Sequence, residues 1–263
     1  MTSTPIWDQA AVPAPTDEWR RPEVAALPAH GTPDLADLFT FMRDAELRFR
    51  TLRMRIEETT LTTGGPHAMW MEVLLRHPGH ARVTTTAPGR GTTGNYELWL
   101  SDGETVWTYS AANKLGTKRP VRPPVRGLDK DFPGKSRVYT PLTDLQMETL
   151  PETFIHPAGY CQNVLSTGRC WISGTEDVLG RPALIVDCDH PRTIEVVADR
   201  RDFHIQIAVD RVDGIIVRQV ETIGGTETRR AEVIDYVPDA PIPPTAFDFR
   251  FPPENDDALL ALD

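Results

Sequence analysis

The chain has 263 residues, 40% of them apolar, and carries a formal charge of -10, with 38 acidic against 28 basic residues. That length and apolar content suit one large β domain or two ordinary ones. The acidic balance excludes a phosphate-binding surface, which needs clustered positive charge, and it also argues against docking on an anionic membrane. The basic side chains are nearly all arginine, with lysine only at Lys114, Lys118, Lys130 and Lys135, a skew that GC-rich coding alone produces.

Residues 1–33 are rich in Pro and Ala and show no hydrophobic period, which predicts an extended or disordered arm. They also lack the charged start and apolar run of a secretory signal. No stretch reaches the roughly 20 apolar residues of a membrane span. As numbered, the expectation is a cytoplasmic protein, or an extracytoplasmic one if a signal or anchor has been removed. Cys161, Cys170 and Cys188 are too few for a disulfide scaffold, and a Cys161–Cys170 bridge stays open for an oxidising compartment.

The stretch "TPDLADLFTFMRDAELRFRTLRM" then places Leu35, Leu38, Phe39, Met42, Ala45, Glu46 and Phe49 at helical spacing. Thr32 serves as N-cap and Pro33 falls in the first turn. From Leu52 the pattern changes to short strands punctuated by Gly and Pro: "LRMRIEETTLTT", "AMWMEVLLRHPG", "HARVTTTAPG" and the hairpin "YELWLSDGETVWTYSA". In that hairpin Tyr96, Leu98 and Leu100 share one face, "SDG" turns, and Val106, Trp107 and Tyr109 return.

Residues 118–141 hold too many prolines for regular structure and read as a long loop. A second helical piece follows, with Leu142, Leu145, Met147 and Leu150 apolar. Strands then resume, including "RCWISGTEDVLGRPALIVDCD", "TIEVVA" and "FHIQIAVDRVDGIIVRQVETIGGTETRRAEVIDYV", with turns at Asp213-Gly214 and Gly224-Gly225. A short aromatic strand, "TAFDFRF", closes the domain. The acidic tail, residues 254–263, follows. The sum is one mainly β domain over 34–253 with a few helices: about eleven strands in a strongly curved, half-open antiparallel barrel, and a helical plug or lid on its concave face.

Catalytic and metal motifs are missing. His156, His190 and His204, with Asp187, Asp189 and Glu195 near in sequence, form no nucleophile–base–orienter set. G-x-S-x-G, H-E-x-x-H, P-loop and G-x-G-x-x-G patterns are absent. Cys161, Cys170, Cys188 and His190 lack any C-x-x-C pair, so zinc is not expected, and no other cofactor is implied. Trp70, Trp99, Trp107 and Trp171 are read first as core. Arg200-Arg201 and Arg229-Arg230 are read as solvated hairpin tips or outward faces.

Four of these stretches, taken in order, resemble one family. "YELWLSDGETVWTYSA" is similar to the "SDGKTLW-Y" hairpin of lipoprotein carriers of the LolA and LolB type, and "LLRHPGHARV" to the preceding strand turn. "TAFDFRFPPEND" resembles the closing "F-F-PP-G" strand, with "VLGRPALIVDC" and "FHIQIAVDRVDGIIVRQVE" between them. The resemblance implies a half-barrel that holds a hydrophobic ligand, a lipid or a lipoprotein acyl chain, without catalysis. The ligand would lie against Leu38, Phe39, Met42, Leu98, Leu100, Trp107, Tyr109, Ile207, Val209 and Ile216. A family arginine held to keep the lid closed corresponds here to Arg76 and His77. RseB-like sensors working through a regulatory protein, and VioE-like half-barrels that position a small hydrophobic intermediate, are the alternatives that the same resemblance carries.

Overall fold

The computed structural model describes residues 24–28, 31–87, 95–121, 141–192, 200–252 and 259–260. Helix α1 (Leu35–Arg43) begins after Asp34, whose carbonyl accepts the Leu38 N–H at 3.0 Å. The cap is therefore Asp34, two residues later than the expected Thr32, and buried Pro33 lies outside the helix. A 3-10 turn, Ala45–Arg48, leads into the sheet.

The first meander comprises β1 (Thr51–Thr62), β2 (Gly65–Arg76), β3 (His80–Thr86), β4 (Tyr96–Asp102), β5 (Thr105–Ser110) and β6 (Leu115–Pro120). After it come helices α2 (Leu150–Ile155) and α3 (Pro157–Asn163). The second meander comprises β7 (Arg169–Val178), β8 (Arg181–Asp189), β9 (Phe203–Asp210), β10 (Ile216–Ile223) and β11 (Thr226–Pro238). Each of these strands pairs antiparallel with its neighbours, in the order β6-β5-β4-β3-β2-β1-β11-β10-β9-β8-β7. At the outer edge of β6, Leu259–Leu260 (β12) pairs in parallel with Gly116–Thr117.

The two meanders meet at β1 and β11, so their outermost strands are β6, which β12 flanks, and β7. A chain leaving β6 must cross the whole sheet to begin β7, and the route that buries the most apolar surface lies over the apolar face. The segment 141–168 follows it: Leu145, Leu150, Phe154, Ile155, Cys161 and Leu165 join α1 in the main core. Bulges at Arg55/Ile56, Ile172/Gly174, Ile216/Arg218 and Glu221/Thr222 bend the strands around this plug. The face that carries the helices is the concave one.

The turns are where the sequence puts them. Gly103 has φ 91 at the "SDG" bend, where Asp102 Oδ1 accepts the Glu104 and Thr105 N–H groups at 2.9 and 2.8 Å. Asp213-Gly214 and Gly224-Gly225 lie in the β9–β10 and β10–β11 connections. Several expectations need correction. Lys118–Pro120 belong to β6, so the Pro-rich loop starts later than 118, and its residues 122–140 lie outside the described set. The stretch "TIEVVA" and Glu195 also lie outside it. The closing aromatic stretch is no strand: Pro244–Phe247 form a 3-10 turn and residues 248–252 continue without regular structure. In the second helical piece Met147 is 77% exposed and precedes the helix, which begins only at Leu150.

Those aromatics nevertheless have a sheet to cover. Leu98, Leu100 and Tyr109 form a second cluster with Tyr96, Trp107, Phe249 and Phe251. It lies on the outer face, because Trp99 and Val106, the alternate residues, belong to the main core. The ring of Phe251 rests where a Cβ on Gly116 would stand. Gly116→Ala is therefore expected to lower stability by about 1–3 kcal/mol through overpacking and to lower it little in a Phe251→Ala background. Denaturant unfolding of the four-protein cycle checks this, and additive losses would contradict the assigned contact.

Candidate functional site

The concave face divides the residues assigned to ligand by resemblance. Leu38, Met42, Ile207, Val209 and Ile216 are all 0% exposed and lie in the main core, with Phe39 half-buried at its margin. The hairpin residues do not join them. Leu98, Leu100, Trp107 and Tyr109 pack on the outer face under the C-terminal aromatics. Three consecutive buried residues, Leu98, Trp99 and Leu100, show why: β4 is covered on both faces, so its sequence carries no alternation that could distinguish them.

The plug is fastened at one end by buried polar groups. Glu46, 1% exposed in the turn after α1, accepts the Leu142 N–H at 3.0 and 3.1 Å on its two carboxylate oxygens. Nε2 of His156, between α2 and α3, lies 3.1 Å from Glu46 Oε2. The β2–β3 turn supplies the other half of the contact. His77 Nδ1 is 2.8 Å from Thr143 Oγ1, which also accepts the Gly79 N–H at 2.8 Å, while Gly79 N–H also reaches the Leu142 carbonyl at 3.2 Å. The His77 ring stacks on Phe49, centroids 5.6 Å apart. One carboxylate and one imidazole thus tie the start of the crossing segment, and its helical junction, to the sheet. Arg76 points away from this cluster, since alternation sends it to the outer face, where its guanidinium lies 5.0 Å from the Phe247 ring.

Burial pushes the His77 imidazole down to about 4, against the opposing pull of Glu46 and with help from His156. The carboxyls of Asp144 and Glu152 on the same segment are raised, burial again being the leading cause.

A second polar island lies on the concave face where β1, β10 and β11 meet. Arg229 Nε donates to Glu58 Oε1 at 2.7 Å, and Nη1 reaches Glu221 Oε1 at 3.4 Å. Gln219 Nε2 donates to the same Glu221 oxygen at 2.7 Å. Gln219 Oε1 and the Tyr160 hydroxyl of α3 are buried and have no hydrogen-bond partner among the described residues. Burial, and next the charge of Glu221, holds the Tyr160 phenol well above its usual range. Sequence reasoning sent Arg229 to a solvated tip. The signal for the inward assignment was the two-residue spacing of Gln219, Glu221 and the core residue Val217.

The acid–base candidates on the second meander form no catalytic relay. His204 bridges Asp189 and Asp187, each at 2.9 Å. Burial works to raise the Asp187 carboxyl, but hydrogen bonds with Ser173, Gln206 and His204 outweigh it and leave it low. Here the serine neighbours the carboxylate, whereas a nucleophilic relay needs the imidazole between them. His190 occupies the turn after β8 with φ 56. The cysteines are free: Cys170 faces Cys188 across β7–β8, sulfurs 2.8 Å apart, and Cys161 Sγ lies 3.8 Å from Met42 Sδ. Cys170 therefore neighbours Cys188 rather than the partner considered for it. On the outer face, a recess of about 550 Å³ is lined by Arg53, Arg55, Arg82, Glu72, Asp235 and Tyr96, among others.

No protein-family model and no curated protein matches the sequence. Solved structures are similar in fold. MucB shares 12% identity at a TM-score of 0.48 over 84% of this chain, which spans 64% of MucB. An uncharacterized conserved protein from Thermus thermophilus shares 10% at a TM-score of 0.48, covering 87% of this chain and 100% of that one. A LolA superfamily protein from Nitrosomonas europaea shares 9% at a TM-score of 0.35, covering 83% and 99%. At these identities the likeness concerns fold alone. No helix among the described residues is long and apolar enough to cross a membrane.

The depressed His77 carries a sign. Between pH 6.5 and about 4 the unfolded chain takes up a proton at this residue that the native chain refuses, so stability falls as pH falls through that window, by on the order of 3 kcal/mol. Denaturant unfolding across that window should show a shallower pH slope in His77→Gln than in the parent. Equal slopes would contradict a buried, neutral imidazole.

Proposed function

We propose that this chain is a binding protein that receives an apolar chain on its concave face in exchange for its own helical plug. The single observation that supports the reading is the fastening of the plug. Its body contacts the sheet through apolar side chains, while its start is tied by Glu46, His77, Thr143 and His156, groups that are expensive to bury.

An element held only by hydrocarbon contact is a fixed part of the core. One held at its end by ionisable and hydroxyl groups has a local contact that can break without unfolding the sheet. The energies allow exchange. Leu145, Leu150, Phe154, Ile155 and Leu165 are buried in the plug, and each contributes roughly 1.5–3 kcal/mol. A sixteen-carbon acyl chain, at about 0.8 kcal/mol per methylene, contributes a similar total. Neither occupant wins by a wide margin, so the polar latch decides which one holds the face. A free lipid and the acyl group of a lipoprotein offer the same chemistry to such a site.

Native mass spectrometry of the full chain incubated with palmitoyl lipids, repeated on Thr143→Ala and Glu46→Gln, tests this. The expected result is a stoichiometric adduct that is several-fold more abundant in the latch variants. Clean protein masses in the parent and in both variants, with sheet content intact by circular dichroism, would remove the reading.

A further inference from the structure

The concave island contains a mismatch that the plug does not repair. Gln219 can present its amide in one sense only: Nε2 must face the Glu221 carboxylate, since the reversed amide would set oxygen against oxygen. Oε1 is thereby committed as an acceptor, and it is buried without a donor among the described residues. The Tyr160 hydroxyl, delivered by the plug itself, is buried and equally unpartnered, although its ring lies close enough to Glu221 and Arg229 to feel both charges. Two polar atoms lacking partners on an otherwise apolar face penalise the closed state, because burial has removed their water and returned nothing. A ligand that displaces the plug exports Tyr160 to solvent and leaves Gln219 Oε1 to be satisfied by whatever enters.

The charges at the island restrict the entrant further. Glu58 and Glu221 both face the guanidinium of Arg229, through contacts of 2.7 and 3.4 Å. A carboxylate has no proton to offer Gln219 Oε1 and would set its own charge beside Glu58 and Glu221 in a poorly solvated site. Resting on the reading of the concave face as the ligand face, we infer that the ligand is an apolar chain bearing a hydrogen-bond donor, a hydroxyl or an amide N–H. Gln219 Oε1 accepts that donor at the Glu58–Arg229–Glu221 island, and a free fatty acid is discriminated against.

The test uses the full chain and displacement of bound 1-N-phenylnaphthylamine at pH 8 by three sixteen-carbon competitors: hexadecanol, palmitoylethanolamide and palmitate. The alcohol and the amide are expected to displace the dye at about tenfold lower concentration than palmitate, the size of one well-placed hydrogen bond. Gln219→Leu should bring the three within about twofold of one another. Tyr160→Phe should melt at the parent temperature or higher and keep the preference. Displacement by palmitate as strong as by the alcohol in the parent, or an undiminished preference in Gln219→Leu, would overturn the inference. A lower melting temperature for Tyr160→Phe would overturn its premise, since it would show that a buried water pairs the hydroxyl. Dye bound without preference leaves the binding function standing and removes only the ligand class, whereas dye that does not bind removes both.

Discussion

The Glu46 carboxylate is the contact on which the arrangement turns. It is buried at the end of an apolar helical stripe, where a leucine would pack without penalty, and it spends both oxygens on the Leu142 N–H. His156 closes on it from the far side. The same carboxylate therefore joins the turn after α1, the start of the crossing segment and the α2–α3 junction, three pieces that are distant in sequence. Removing one partner of such a group leaves an uncompensated buried charge, which is why a contact of modest net worth can still govern where a whole segment lies.

The topology makes that segment necessary. Two antiparallel meanders that meet at β1 and β11 leave their outer ends on opposite edges, and the connection has to span the sheet. The concave side is the apolar one, so the connection becomes its cover. The outer side at β4 and β5 has its own cover, the irregular stretch carrying Phe249 and Phe251. One sheet thus supports two apolar clusters with different fasteners. The outer cluster is held by aromatic packing, with Tyr109 5.7 Å from Phe249 and 6.2 Å from Phe251 between ring centroids, and Arg82 donates to the Ala246 carbonyl of its cover at 3.1 Å. The concave one is held by hydrocarbon and by a polar latch. The buried ionisable groups of that latch are the reason the concave face is the one proposed to open.

The sequence carried the architecture well because strands and turns are local. Alternation, the "SDG" bend and the Gly224-Gly225 pair need only neighbours a few residues apart. The composition of the eleven strands was less legible: β6 ends in Pro120 at an edge that tolerates proline, whereas "TAFDFRF" has strand-forming residues but no partner strand. The site was partly legible. His77 stood out beside Pro78, yet its partner Thr143 is 66 residues away and no local pattern joins them. Glu46 falls at helical spacing with the apolar stripe, but its partners Leu142 and His156 are about a hundred residues away and nothing local marks it as an anchor. The hairpin residues Leu98, Leu100 and Tyr109 pack in a cluster apart from the helices, and the sequence does not reveal this because a strand buried on both faces does not say which face meets the helices. Gln219 and Glu221 passed unnoticed and Arg229 was read as solvated, since polar residues on strands near hairpin turns ordinarily point to water.

Hydrogen–deuterium exchange of the full chain, with and without an apolar ligand such as hexadecanol, tests the central claim that the plug and not the sheet gives way. The account predicts faster exchange in α2 and α3, from Leu150 to Asn163, on ligand addition, with β1, β2, β9 and β11 unchanged. Unchanged exchange in those helices, or a uniform increase that includes the central strands, would contradict it.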